Sequence, residues 1–238
     1  MNLDRPDTVA SLIDHTLLKP DATRADIIRV CAEAHQFSFA SVCINPFWVR
    51  LAKQQLAGSS VRVCTVIGFP LGANKTETKL MEARTALEEG ATELDVVQNI
   101  GALRSGEARV VGEELKKLAD LTHANGAILK VILETSLLSA EEKRVACRLA
   151  VEAGLDFVKT STGFAGGGAT AEDVSVMRSI VGHGIGVKAS GGIRTLPALR
   201  EMVNAGASRI GTSSGISILR ELESGSNVGS SGKDSGSY

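Results

Sequence analysis

Two lysines occupy nearly the same local sequence, each within a short apolar run. Lys159 lies in D-F-V-K-T-S-T-G and Lys188 in G-V-K-A-S-G-G. A buried ammonium group costs free energy unless it is paired or has a chemical use. On neighbouring strands the two groups would lie within about 6 Å, and like charge would depress the pKa of one of them. We therefore interpret Lys159 as an amine nucleophile that forms a Schiff base with a carbonyl, and Lys188 as its electrostatic partner. The alternative is that both lysines extend outward from strand ends, but the repeated Val-Lys context disfavours it.

Two aspartates also interrupt apolar runs. Asp95 lies in E-L-D-V-V-Q and Asp14 in L-I-D-H-T. A carboxylate in such a place can accept and return protons during Schiff-base steps, or hold an ammonium group in position. Simple pairing with a basic neighbour is the alternative for Asp95, and for Asp14 the two interpretations stay balanced. Lys130, in L-K-V-I-L-E, is expected to form an internal ion pair.

Three glycine-rich turns occur late in the chain: S-T-G at 161–163, S-G-G at 190–192 and G-T-S-S-G at 211–215. Glycine lets backbone N–H groups approach an anion closely, and a helix N-terminus adds a favourable dipole. Tight loops need glycine anyway, so each turn alone is a weak signal. Their clustering beside two lysines predicts a phosphate site, to which Arg194 adds charge.

The elements that must position these residues form an alternating pattern. Eight short apolar runs, most rich in Val, Ile and Leu, are typical of buried parallel strands. They cover residues 12–16, 40–44, 62–67, 93–98, 128–134, 156–161, 186–190 and 209–213. Helical patterns lie between them, and Ser139-Ala-Glu-Glu142 is a capping box. Eight such steps favour a closed (β/α)8 TIM barrel, whose site forms at the C-terminal ends of the strands. The first strand is not followed by G-x-G-x-x-G, which argues against a dinucleotide-binding fold.

The domain organisation is predicted to be one barrel followed by a tail. Residues 1–223 form the barrel, with a short extra helix at 215–223 that completes the phosphate site. Residues 224–238 are rich in Ser and Gly and are predicted to be flexible, ending in Tyr238, the one tyrosine of the sequence.

Composition limits the partners. The 26 basic and 27 acidic residues nearly cancel, and aromatic residues make up 3%, so neither a nucleic acid nor a membrane is an expected partner. No apolar run approaches the roughly 18 residues of a membrane span. The N-terminus lacks the features of a signal peptide. The four cysteines show no metal-ligand spacing and are expected to be reduced core thiols, which indicates a cytoplasmic protein.

Taken with these residues, the chain resembles the deoxyribose-phosphate aldolases along nearly its whole length. The motifs that carry the resemblance are I-D-H-T-L-L-K-P at 13–20, T-V-I-G-F-P-L-G at 65–72, E-L-D-V-V at 93–97, L-K-V-I-L-E-T at 129–135, V-K-T-S-T-G-F at 158–164, V-K-A-S-G-G-I-R at 187–194 and G-T-S-S-G at 211–215. The resemblance implies a class I lyase with neither metal nor organic cofactor. Such an enzyme reversibly cleaves 2-deoxy-D-ribose 5-phosphate to acetaldehyde and D-glyceraldehyde 3-phosphate, in deoxyribose phosphate catabolism.

The resemblance also implies residue roles. Lys159 matches the Schiff-base lysine, Lys188 the second lysine that perturbs it, and Asp95 the acid/base partner. Asp14 matches an aspartate of the proton-relay network. Tyr238 resembles a C-terminal tyrosine that assists proton transfer at the acetaldehyde carbon.

The glycine and serine turns match the family's phosphate cradle, which implies phosphate-binding roles for Gly163, Gly191, Gly192, Gly211, Ser213 and Ser214. Phe164 departs from the pattern, because some members have lysine there, and this departure is expected to weaken the affinity for the phosphate group. The implied partners are small phosphosugars and aldehydes. The sequence leaves the oligomeric state open, although small barrels of this kind are often homodimers.

Three other functions compete with this one. A different Schiff-base barrel aldolase, or a transaldolase-like enzyme, would differ in acetaldehyde turnover. A barrel that binds a phosphosugar without catalysis would fail to trap a Schiff base. A phosphosugar isomerase would not need two lysines in these positions.

Overall fold

The fold is a closed parallel barrel surrounded by helices, and the computed structural model describes residues 2–228, with side chains through residue 225. The strands are β1 (Ile13–Leu17), β2 (Ser41–Ile44), β3 (Arg62–Ile67), β4 (Glu93–Val97), β5 (Ile128–Ile132), β6 (Phe157–Lys159), β7 (Gly186–Ser190) and β8 (Arg209–Thr212). The helices are α1 (Pro6–Ala10), α2 (Arg24–Phe37), α3 (Val49–Gln55), α4 (Thr76–Glu88), α5 (Ile100–Arg104), α6 (Ala108–Ala124), α7 (Ala140–Ala153), α8 (Ala171–Val181), α9 (Leu196–Asn204) and α10 (Gly215–Val228).

Each strand pairs in parallel with the next, and β8 pairs with β1 to close the barrel. The predicted (β/α)8 TIM barrel is therefore confirmed. A parallel connection requires a crossover, and the helices between successive strands supply it. Because the strands are parallel, all eight C-terminal ends open on the same face of the barrel.

Alternation along the strands separates two environments. On β4, Leu94 and Val96 belong to the apolar core between the barrel and the helices. Glu93 and Asp95 alternate with them and therefore face the barrel interior. The helix sequences agree with this arrangement locally: the predicted capping box of α7 is present, with Ser139 accepting from the Glu142 backbone N–H.

Several boundaries differ from the prediction. The fifth and sixth strands end at Ile132 and Lys159, earlier than the predicted 134 and 161, because the residues after them turn into the loops of the barrel mouth. Helix α10 continues to Val228, into the range predicted as a flexible tail, since serine and glycine lower helix stability without forbidding a helix. Helices α1, α3 and α5 were not singled out by the sequence pattern.

Residues 229–238, and with them Tyr238, lie outside the described residues. In the part of the chain that is described, none of the helices combines the length and apolarity needed to cross a bilayer.

Candidate active site

The two lysines singled out in the sequence are direct neighbours in the barrel. Lys159, the last residue of β6, is the register partner of Lys188 on β7. Both ammonium groups donate to the same oxygen, Asp95 Oδ2, at 2.8 Å for Lys159 and 2.7 Å for Lys188. The two nitrogens therefore lie at most 5.5 Å apart, the sum of these two distances. The barrel brings together the three residues predicted to carry the chemistry.

Further ionic side chains lie beneath this group. Lys188 also contacts Asp14 Oδ2 at 2.5 Å, and Asp14 Oδ1 accepts from Arg209 at 2.6 Å and from the Ser41 hydroxyl at 2.7 Å. Asp14 and Asp95 thus both contact Lys188, and the place of Asp14 in a proton network stays a prediction.

Glu93 and Lys130 connect Asp95 to Arg209 and so complete the ionic network. The Lys130 ammonium contacts Glu93 Oε2 at 2.6 Å and Asp95 Oδ1 at 2.7 Å, so the predicted internal ion pair is present. Arg209 contacts Glu93 Oε1 at 3.2 Å. Four basic side chains therefore face three carboxylates in the barrel interior.

The network shifts the ionisation of its members. Burial by itself raises the pKa of Asp95, but the three lysine ammonium groups around it hold that pKa well below its ordinary range. Burial likewise opposes ionisation of Asp14, whose pKa Lys188 and Arg209 lower. At Lys188, burial lowers the pKa of the ammonium group, and Asp14 and Asp95 outweigh burial and raise it. Like charge therefore does not depress the pKa of Lys188, the partner lysine, because two carboxylates compensate the neighbouring cation.

Lys159 differs from the other three basic groups in its contacts. Lys130, Lys188 and Arg209 each form ion pairs with two carboxylates, whereas Lys159 pairs with Asp95 alone among the described residues. Lys159 also lines the cavity at the barrel mouth. It is thus the least restrained of the four and the one in contact with the cavity.

The cavity has a volume of about 230 Å³ and lies over the ends of β6, β7, β8 and β1. The predicted phosphate residues Gly163, Gly191, Gly192, Gly211 and Ser213 line it, together with Arg194. Ser214 does not belong to this lining in the described chain; its N–H donates to Thr212 Oγ1 just before α10 begins.

Gly191 occupies a position in the second glycine turn where a side chain would be strained. Its φ is +88°, and a methyl group there would lie 3.0 Å from the Cα of Gly168. The two loops therefore meet backbone against backbone, and Ala169 N–H donates to the Gly191 carbonyl at 3.1 Å. This contact joins the loop after β6 to the loop after β7 at the edge of the cavity.

The four cysteines are free and buried. Burial raises the pKa of Cys31 to about 11 and that of Cys147 to about 12, so both remain neutral thiols. The cysteines show no metal-ligand spacing in the sequence, yet the barrel brings possible ligand atoms together. The thiol sulfurs of Cys43 and Cys64 and a carboxylate oxygen of Asp95 lie within 4.8 Å of one another. Sulfur and carboxylate donors suit a metal ion, but the ammonium groups bound to Asp95 oppose a further cation there.

The sequence interpretation missed Arg209, Glu93 and the role of Ser41. A signal was present, because Glu93 lies two residues before Asp95 and Arg209 two residues before Gly211, and such pairs share a strand face. Only the closed barrel shows that these groups meet, since they come from strands far apart in the chain.

An eight-stranded barrel in which one aspartate joins two lysines beneath an open cavity is the arrangement of a class I aldolase, a carbon–carbon lyase. The chain matches the model of the DeoC/LacD family aldolases over residues 8–223, and it belongs to that family.

Named relatives agree with this family assignment. The deoxyribose-phosphate aldolase of Geobacillus sp. (strain WCH70) is 55% identical over 219 residues, covering 92% of this chain and 98% of that protein. The deoxyribose-phosphate aldolase of Bacillus subtilis (strain 168) is 56% identical over 213 residues, covering 90% and 95%. Among solved structures, the deoxyribose phosphate aldolase of Aeropyrum pernix, described as a unique tetramer, matches with a TM-score of 0.87 and 39% identity over 92% of this chain and 93% of its own. The predicted resemblance and enzyme class are confirmed.

Proposed function

We propose that this aldolase reversibly cleaves 2-deoxy-D-ribose 5-phosphate to acetaldehyde and D-glyceraldehyde 3-phosphate through a Schiff base on Lys159. Its cellular role would be the catabolism of deoxyribose phosphate. The named relatives support the substrate.

The observation that carries the Schiff-base proposal is the single ion pair of Lys159 at the cavity wall. With Lys159 as a free amine, three basic groups face three carboxylates and the interior charges balance. The other basic groups are each held by two carboxylates, so Lys159 is the one with the fewest anionic contacts and the one that can reach a substrate in the cavity.

The first stage forms the imine. The Lys159 nitrogen attacks C1 of the open-chain sugar, and the carbonyl oxygen takes a proton to give a carbinolamine. Water leaves as the Asp95–Lys188 pair supplies a second proton, and a protonated imine remains. Lys188 is an ammonium group next to Asp95 before this proton transfer. It becomes one again when the later hydrolysis of the imine returns a proton to it.

The second stage breaks the C2–C3 bond. Its electron pair moves to C2 and into the imine, giving a neutral enamine, while the C3 hydroxyl loses its proton to a water held at Asp95. C3 becomes the aldehyde carbon of D-glyceraldehyde 3-phosphate. Protonation of the enamine at C2, to which Tyr238 contributes, gives the acetaldehyde imine, and hydrolysis releases acetaldehyde and Lys159.

The glycine turns contribute binding energy remote from the reacting bond. The phosphate lies at the far end of a five-carbon chain whose carbonyl is at Lys159. Gly163, Gly191, Gly192, Gly211 and Ser213 bind it through backbone N–H and hydroxyl groups, and this energy helps to orient C1 and C3.

Borohydride trapping with acetaldehyde tests the mechanism. Intact-mass and peptide mass spectrometry should find a single two-carbon adduct on Lys159. Lys159→Leu should keep the fold, measured by thermal unfolding, and lose both adduct and activity. An adduct on Lys188 would reverse the two roles, and wild-type levels of trapping in Lys159→Leu would refute the assignment.

A further inference from the structure

Glu134 has a backbone conformation that is rare for a residue with a side chain. It follows β5 with φ +56° and ψ +63°, in the left-handed region. In residues 2–228 the other non-glycine residue with a positive φ is Ser38, which ends α2, where left-handed residues are common. Glu134 ends no helix. Surrounding structure must therefore hold it in this conformation, a feature that often accompanies functional sites.

The Glu134 side chain makes its hydrogen bonds to one residue. It is 1% exposed, and its Oε2 accepts from the Thr162 N–H at 3.2 Å and from the Thr162 hydroxyl. No ion pair within the described side chains includes Glu134, unlike the carboxylates of the barrel interior. A buried carboxylate without a cation depends on its hydrogen bonds, so the contact with Thr162 is a strong restraint.

Thr162 passes this restraint to the loop after β6. Its hydroxyl donates to Glu134 and accepts from the Phe164 N–H at 3.0 Å. The two bonds fix the turn around Gly163, which has φ +84° and open space where a side chain would lie. Thr162, Gly163 and Phe164 all line the cavity that contains Lys159.

We propose that Glu134 is a positioning residue that gives the enzyme its preference for phosphorylated over unphosphorylated substrates. This inference rests on the proposed function. Glu134 does not touch the substrate; through Thr162 it holds the 162–164 turn so that the Gly163 N–H stays directed at the phosphate. A turn fixed before binding loses less entropy when the phosphate arrives, so the gain appears in substrates that carry one.

The test compares 2-deoxyribose 5-phosphate with unphosphorylated 2-deoxyribose. In Glu134→Gln and Thr162→Val, the KM for the phosphorylated substrate should rise about tenfold, the loss expected for a charge-assisted hydrogen bond. The KM for unphosphorylated 2-deoxyribose and the rate of borohydride trapping with acetaldehyde should change less than twofold. The effects of the two changes on KM should be less than additive in the double variant, because both weaken the same contact between Glu134 and Thr162.

Matched variants separate this role from a structural one. Thr162→Ser keeps the hydroxyl and should retain the preference that Thr162→Val loses. Glu134→Gly relaxes the backbone but removes the carboxylate, so it should lose the preference. Ser38→Gly relaxes the same backbone conformation at the end of α2 and should leave both KM values unchanged.

The outcomes distinguish the two proposals. If Thr162→Val and Glu134→Gln raise the KM of both substrates equally, or slow trapping, then Glu134 supports Lys159 or the fold, and the inference is overturned. Retained preference in both variants overturns it as well. If the wild-type enzyme neither traps acetaldehyde nor cleaves either sugar, the proposed function fails, and the inference fails with it. The Thr162→Ser and Thr162→Val pair decides the question even if Glu134 variants do not fold.

Discussion

Replacement of Lys130 by methionine tests whether the ionic network orients Asp95. Methionine has a similar length and no charge, so the change removes an ammonium group while filling most of its volume. Glu93 Oε2 loses a contact of 2.6 Å and Asp95 Oδ1 one of 2.7 Å. Asp95 would keep its Oδ2 contacts, but its Oδ1 would be left with the weak hydrogen bond from the Cys64 thiol at 3.2 Å.

The magnitude follows from these distances. Two unit charges about 2.7 Å apart attract by about 6 kcal/mol at an effective dielectric constant of about 20. Desolvation offsets much of this, and removing one partner of a buried pair costs about 3–5 kcal/mol. We expect Lys130→Met to lose about that much unfolding free energy, or roughly 10 °C in Tm. Misdirection of Asp95 should lower kcat about a hundredfold.

The effect should depend on pH with a defined sign. The pKa of Asp95 is held below its ordinary value in the fold, so its contribution to stability is present above about pH 4 and is lost as the pH falls through the folded value. Burial lowers the pKa of Lys130, but Asp95 and other anionic neighbours raise it overall, so its contribution is present below about pH 10 and is lost as the pH rises through the folded value. The stability difference between wild type and Lys130→Met should be largest between these limits. Less depression of the Asp95 pKa should also move the acid limb of kcat/KM to higher pH.

Lys79→Met is the matched control. Lys79 is also fully buried, and its ammonium contacts Glu114 at 2.5 Å and the Val97 carbonyl at 2.9 Å, outside the barrel interior. It should destabilise the fold by a similar amount while leaving kcat and the acid limb unchanged. Thermal melts and pH–rate profiles of both variants give the comparison. Equal losses of kcat, or an unmoved acid limb in Lys130→Met, would refute the orienting role.

Three further predictions concern the cavity and the tail. Gly191→Ala should raise KM and cost about 1–3 kcal/mol in unfolding free energy, because strain at φ +88° adds to the contact with the neighbouring loop. The control Gly154→Ala, at φ +76° with open space around it, should cost less and leave KM unchanged. Chemical denaturation and steady-state kinetics test both variants. Phe164→Lys should lower the KM for the phosphorylated substrate several-fold, which is the value of an exposed ion pair, since Phe164 is 52% exposed at the cavity mouth. The KM for unphosphorylated 2-deoxyribose should not change. An equal change in the two KM values would contradict this prediction. Removal of Tyr238 should lower kcat with little change in KM, and unchanged turnover of the truncated enzyme would disprove the tail's role.

The strand positions were predictable because buried parallel strands are short, continuous apolar runs. Lys159 and Asp95 were detectable for the same reason, as charges within such runs. The loop after β5 was not predictable in this way. The sequence continues apolar through Leu133, yet the chain turns at Glu134 into a left-handed conformation held by Thr162, a residue on the next strand's loop.

The sequence by itself determined the alternation of strands and helices, the repeated Val-Lys segments and the glycine turns, because each depends on residues close together in the chain. Tertiary structure alone decided which carboxylate each cation meets. Arg209 binds Asp14 because β8 closes against β1, and Asp95 reaches Lys159 and Lys188 across the barrel interior. Such pairing depends on strand register and on the inward direction of each side chain, and both are fixed only when the barrel closes.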